Sequence, residues 1–199
     1  LLVANTEVVP LRAVANPLDG SRMEVAVQKG GTVSIISDSI TGGEIAGALG
    51  FRDQVLEPAR NGIGRLSAVV VDTYNAQHRQ GVDLRGAMGG DLFARGGAQV
   101  NRAAGNTGTV GVSLEPANLG DLTLSDYRLF HDGTNFTLER LDNGATQTLS
   151  GAGPFTVDGM TITIGSAPAA GDSYLIQPTK YVARDMAVRI SDPLALAFA

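Results

Sequence analysis

Between Ser39 and Gly81 the apolar positions of this chain keep a seven-residue beat: Leu49, Leu56, Ile63 and Val70, with Ala59, Leu66 and Thr73 three places after the last three of them. Such spacing lays one narrow seam along a helix, suited to lengthwise packing against another helix. The pattern predicts a helix over 41–80. Thr41 and Glu44 have capping-box spacing at its start. At its end His78 and Arg79 suit the negative pole of a helix, and Gly81 offers a left-handed cap. Pro58 removes a hydrogen bond at a cost of about 3 kcal/mol, which predicts a kink near Leu56 or a second helix with Pro58 in its first turn. Gly50 and Gly62 loosen the same stretch.

The flanks have a two-residue period instead. Leu2–Val9, Arg22–Gln28 and Thr32–Ile36 are rich in Val, Ile and Thr, with turn signals at Asn16-Pro17, Asp19-Gly20 and Gly30-Gly31. Met23, Val25 and Val27 alternate with polar or small residues, so that side of the strand is expected to be buried. After Gly81 a stretch rich in Gly, Ala and polar residues reads as a linker with one apolar anchor, Leu92-Phe93. From Val110 to Gln177 short alternating strands resume, with turns at Asp132-Gly133, Asp142-Asn143-Gly144 and Asp158-Gly159. Their expected core is Leu129, Phe136, Leu138, Leu141, Phe155, Val157, Ile162, Ile164, Tyr174 and Ile176. A last strand is expected around Met186–Ile190, then a returning helix after Pro193.

The fold class is therefore α+β: a long helix, kinked or split, with flanking short strands, plus a mostly antiparallel β domain of sandwich or barrel type. Three parts are expected. Residues 1–95 form part of a rod-like inner domain, 96–180 an outer β domain, and 181–199 a return segment.

Composition narrows the chemistry. With 199 residues, 43% of them hydrophobic, the chain can bury a real core. A net charge of −5 without a basic cluster argues against nucleic acid or an anionic membrane as partner. No Cys is present, which removes disulfides, thiolate zinc sites and thiol catalysis together. No run of eighteen apolar residues spans a bilayer. The opening LLVANTEVVPLRAVANP lacks the charged start and apolar centre of a signal peptide, and reads as the interior of a longer polypeptide.

His78 and His131 are too far apart in sequence for a local ligand pair and read as a capping and a strand histidine. Asp83 and Asp91 sit in a Gly-rich loop, but Leu84 and Arg85 follow Asp83 where a calcium loop alternates oxygen ligands. No P-loop, dinucleotide fingerprint or GxSxG elbow occurs. With no Trp, a sugar-stacking cleft is poorly supplied. The expectation is no catalytic, cofactor or metal site, and a structural role. Candidate contact residues are the helix seam Leu49, Leu56, Ile63, Leu66 and Val70, with Arg52 and Arg60 setting register through complementary charge.

The runs GGEIAGALGFRDQVLEPARNGIGRL, DTYNAQHRQGVDLRG and GGDLF resemble the central part of the flagellar hook-associated protein 1 family, and further blocks follow in the same order: DYRLFHDGTNFTLERL, PFTVDGMTIT, GDSYLIQPT and ARDMAVRISDP. The resemblance covers nearly all of 32–193. It implies a structural subunit of the bacterial flagellum that joins hook to filament. It further implies long helical heptad segments beyond both ends, an extracellular location, and export by the flagellar type III apparatus without a cleaved signal. The implied partners are other copies of itself, hook protein and the second junction protein, the fragment alone being monomeric. The other readings left open by the residues are a surface-exposed adhesive β module and a secreted hydrolase.

Overall fold

The computed structural model describes residues 2–4, 7–114, 116–166 and 168–198. The chain divides into two compact units, Leu1–Leu56 and Glu57–Ala199.

In the first unit, β1 (Leu2–Ala4) and β2 (Glu7–Val9) pair antiparallel. Residues 5 and 6, inside the single strand expected there, lie outside the described residues. Next come β3 (Leu11–Ala15), β4 (Met23–Lys29) and β5 (Thr32–Ile35), an antiparallel meander in that order. Its first turn forms because the Asn16 side chain accepts the Leu18 and Asp19 N–H groups at 2.9 and 3.1 Å.

Strand β4 buries the opposite half of its alternation from the one expected. Glu24 and Ala26 are buried, whereas Met23 is 52% exposed. Glu24 can go inside because its carboxylate is surrounded by donors: Asn16 Nδ2 at 3.0 Å, Arg22 Nε at 2.5 Å and Arg52 Nη2 at 3.6 Å. Burial pushes this carboxyl up, but hydrogen bonds from Ser37, Asn16 and Arg22, with the Arg22 charge, outweigh it and bring its pKa down to about 2.

Helix α1 covers Gly43–Phe51. The expected capping box does not form: Gly42 is the N-cap, without a side-chain cap bond, and Gly43 has φ +79°. That left-handed residue separates Thr41 from the first turn. A π-helical turn, Arg52–Leu56, follows directly. It falls just ahead of Pro58, whose ring would collide with the Gln54 carbonyl and whose nitrogen has no hydrogen to donate. The chain thus stays helical up to the proline by widening one turn.

The second unit begins with α2 (Glu57–His78). Gly81 beyond it is not a left-handed cap. It has no positive φ, and a Cβ there would stand 2.9 Å from the Ala197 carbonyl carbon, so glycine serves close approach. The stretch read as a linker contains β6 (Phe93–Ala94) and β7 (Gln99–Arg102). Then follow β8 (Thr109–Leu114), β9 (Tyr127–His131), β10 (Phe136–Arg140), β11 (Thr146–Leu149), β12 (Phe155–Val157), β13 (Met160–Ser166), β14 (Ser173–Gln177) and β15 (Ala187–Val188).

Two antiparallel sheets carry the core, one ordered β11-β10-β9-β14-β7 and the other β12-β13-β8, and no closed barrel occurs among the described residues. Leu129, Phe136, Leu138, Tyr174 and Ile176 of the first share one apolar cluster with Met160 and Ile162 of the second. Phe155, Val157 and Ile164 pack against it half-buried. Leu141 is not in the core; it is 47% exposed in the turn after β10. Ala68 of α2, Leu119, Leu122, Tyr127, Leu149 and Val182 belong to the same cluster. The last strand shortens to β15, paired with β6, and a 3-10 turn, Pro193–Ala195, stands where a returning helix was expected. The molecule is of the α+β class.

Candidate functional site

Helix α2 has two stripes, and the chain uses the less apolar one. Its buried residues are Asn61, Gly64, Ala68, Val71, Asn75 and His78, which alternate steps of three and four and so lie along one line of the helix. The seam expected from the sequence lies on another side. Ile63 is 60% and Leu66 64% exposed, Ala59 and Thr73 are exposed, and Val70 is half-buried. In the first unit Leu49 and Leu56 are half-buried and neither is in the core.

The buried stripe is held by hydrogen bonds as much as by packing. The Asn61 amide donates to the Leu124 carbonyl at 3.0 Å and to Asp126 Oδ1 at 3.1 Å, and its oxygen accepts from Thr179 Oγ1 at 3.4 Å. One turn on, Gly64 lets the chain touch: a Cβ there would stand 1.8 Å from the Thr179 carbonyl oxygen. Asn75 imitates a strand neighbour, its amide donating to the Phe93 carbonyl and accepting the Phe93 N–H, both at 2.9 Å. His78 is the third clamp. Its Nδ1 lies 2.7 Å from the Gly90 carbonyl and its Nε2 accepts the Ala197 N–H at 2.9 Å, so both nitrogens are committed to main chain. The His78 ring, in the last turn of the helix, is thus buried and bonded to main chain on both sides.

Around Asn61 the network continues inward. Asp126 Oδ2 accepts Gln177 Nε2 at 3.0 Å, and Lys180 Nζ lies 2.8 Å from Glu57 Oε2 and 4.0 Å from Asp126 Oδ2. Burial raises the Asp126 carboxyl, while bonds from Gln177 and Asn61 and the Lys180 charge oppose the rise.

The two register arginines differ in their surroundings. Arg52 donates Nε to Asp53 Oδ1 at 2.8 Å and Nη1 to the Met23 carbonyl at 2.8 Å within its own unit. Among the described residues Arg60 pairs with Glu57 Oε1, at 3.4 Å, and its side chain is exposed. Asn61, Asn75 and His78 were not singled out as contact residues. The available signal was their spacing, a second heptad phase made of polar and small residues, which a search for apolar periodicity passes over.

His131 bonds through Nδ1 to the Ala169 carbonyl at 3.2 Å, and Asp91 pairs with Arg79 and Arg189. Among the described residues no group of three or more His, Asp or Glu could hold a metal ion, and no helix is long and apolar enough to cross a membrane.

Helix α2 is thus bonded to its own β region along one stripe and leaves Ile63 and Leu66 exposed on another side. Residues 1–93 match the model described as the helical domain of flagellar hook-associated protein FlgK, and residues 101–178 the one described as the D2-like domain of flagellar hook-associated protein 1. Flagellar hook-associated protein 1 of Salmonella typhimurium is 30% identical over the whole chain, and that of Escherichia coli K12 likewise. The chain spans 37% of the length of either. The flagellar hook junction protein FlgK of Burkholderia pseudomallei superposes with a TM-score of 0.86 at 31% identity, over 98% of this chain and 38% of that one. The chain belongs to the flagellar hook-associated protein 1 family.

Proposed function

We propose that this chain is a structural segment of a hook–filament junction subunit, which joins hook to filament by assembling into a ring of copies. The observation that carries the reading is the exposed heptad stripe on α2, Ile63 and Leu66 with half-buried Val70, on a helix whose bonded stripe lies elsewhere. A seam with a 3.5-residue repeat is complementary to another helix, because each side chain then enters a hole of the facing helix. A helical partner is consistent with the match of residues 1–93 to a helical-domain model, in a chain that spans 37% of its relatives' length. The partner is a helical segment of the longer polypeptide, and Leu49 and Leu56 extend the same pattern in the first unit.

Residues 1–95 contribute to a rod-like inner part, 96–180 form the outer β domain, and 181–199 return toward the inner part. Partners are other copies, hook protein and the second junction protein. Arg60, exposed and weakly paired, sets register against a neighbour; Arg52 does so through the carboxylates it already holds. The place of action is the extracellular flagellum, reached without a cleaved signal. The role is structural, with no catalysis, and the segment alone is monomeric.

Deleting the gene in the source bacterium tests this. Bare hooks with flagellin shed into the medium are expected, restored by the full-length gene and not by one carrying Ile63→Ser, Leu66→Ser and Val70→Ser. Normal filaments after deletion would refute the reading.

A further inference from the structure

At the end of α2 one side chain makes a pair of bonds that only one of its protonation states allows. A main-chain carbonyl only accepts, so His78 Nδ1, 2.7 Å from the Gly90 carbonyl oxygen, carries a hydrogen. A main-chain N–H only donates, so Nε2, 2.9 Å from the Ala197 nitrogen, carries none. The ring is therefore neutral, its tautomer set by both partners. Protonation would set a second N–H against that of Ala197, and turning the ring over would not help, because both nitrogens of an imidazolium donate. His78 and Ala197 are buried, at 7% and 8% exposure, so the Ala197 N–H would lose its acceptor out of reach of solvent. Nor is there room for the ring to move aside: a Cβ on Gly89 would stand 2.8 Å from its Nδ1 and 2.6 Å from the Ala197 Cβ.

The other bonds on segment 196–198 are few. Phe198 exchanges two main-chain bonds with Val82, at 3.2 and 3.4 Å, and its side chain is 71% exposed. Ahead of the segment Asp192 accepts the Leu194 N–H at 3.0 Å and pairs with Arg85, and these two contacts hold its carboxyl below the ordinary value. That root stays ionised where an imidazole gains its proton. The charged groups on the segments around His78 are otherwise engaged. Asp91 pairs with Arg79 and Arg189, Asp192 with Arg85, and Asp83 accepts the N–H groups of Arg85 and Ala87, so among the described residues none of them bonds the ring.

We infer that His78 is an acid-sensitive latch on segment 196–198: the neutral ring holds the segment against the end of α2, and protonation of the ring releases it while Asp192 keeps its root in place. Release frees both main-chain groups of Val82, which turns a paired position into an open edge. His131 is not a second latch, because its Nδ1 faces the Ala169 carbonyl at 3.2 Å, a bond that a protonated ring still donates. The latch lies within one molecule and does not depend on the junction role.

Nuclear magnetic resonance of the isotope-labelled chain reads the latch through backbone order parameters between about pH 8 and about pH 5, on either side of the ordinary imidazole value of about 6.5. Those of Ala197 and Phe198 are expected to fall from about 0.85 to below about 0.6 as the pH is lowered. Leu129 in the core and Leu194 beside the root are expected to keep the upper value. His78→Gln, which takes up no proton in this range, should abolish the change with pH. His78→Phe, which offers no acceptor, should leave Ala197 and Phe198 at the lower value throughout. Order at Ala197 that persists at the acid end would overturn the inference. So would a fall shared with Leu129, which is general unfolding, or one that survives in His78→Gln. If a variant does not fold, the parent titration decides by itself, because the His78 ring signals are read in the same samples: a fall at Ala197 that does not follow them overturns the inference.

Discussion

Strands β9 and β4 carry similar alternations and bury opposite kinds of residue. Strand β9 turns Tyr127, Leu129 and His131 inward and leaves Arg128 and Phe130 outside, while β4 buries Glu24 and Ala26 and leaves Met23 exposed. Helix α2 repeats the second behaviour, burying Asn61, Asn75 and His78 and exposing Ile63 and Leu66. A region that closes its own core obeys the ordinary rule of apolar residues inside. A region that keeps apolar stripes outside bonds itself together through polar groups instead.

The largest test of that contrast is a pair of truncations. Leu129→Ala, deep between the two sheets, should cost about 2–5 kcal/mol, whereas Leu66→Ala on α2 should stay within about 0.5 kcal/mol. Urea denaturation of both variants reads the difference, and an equal loss would show that the α2 stripe is covered after all. A second pair separates the two sides of α2 itself. Gly64→Ala drives a Cβ into the Thr179 carbonyl oxygen and should destabilise by about 1–3 kcal/mol or more. Gly62→Ala, whose Cβ would meet Leu124 Cδ2 at an ordinary 3.9 Å, should stabilise by about 0.5–1 kcal/mol through the lost flexibility of the unfolded chain.

The buried carboxylate of β4 gives a pH test. Glu24 is held at about 2, below its usual 4.5. A depressed acid stabilises the fold above the unfolded value and loses that contribution as pH falls toward the folded one. The first unit should therefore melt at progressively lower temperature as pH falls from 4.5 to about 2, and Glu24→Gln should flatten that part of the profile. The smallest effect is expected from Arg60→Ala. Its pair with Glu57 is exposed on the arginine side and worth about 0.3–0.5 kcal/mol, so stability should barely move while assembly of the full-length protein changes.

Reading the sequence located the helix, most strands and much of the core, because periodicity is a local property. Leu129, Phe136, Leu138, Ile162, Tyr174 and Ile176 are buried as their alternation implied. Leu141 was misplaced because an apolar residue at the end of a strand looks the same whether the strand continues or turns. Strand β7 was hidden because Gln99, Val100, Asn101 and Arg102 have little strand character of their own, and it forms by pairing with β14. The missing capping box turned on the backbone of Gly43, which two adjacent glycines leave open.

What the sequence determined by itself is where apolar residues repeat: every three to four positions in the helix, every two in the strands. Periodicity defines a stripe but not its neighbour. Which stripe of α2 is bonded, which half of β4 is buried, and which main-chain groups Asn61, Asn75 and His78 meet were decided by tertiary structure, since the groups that satisfy those polar side chains come from residues up to 119 positions away.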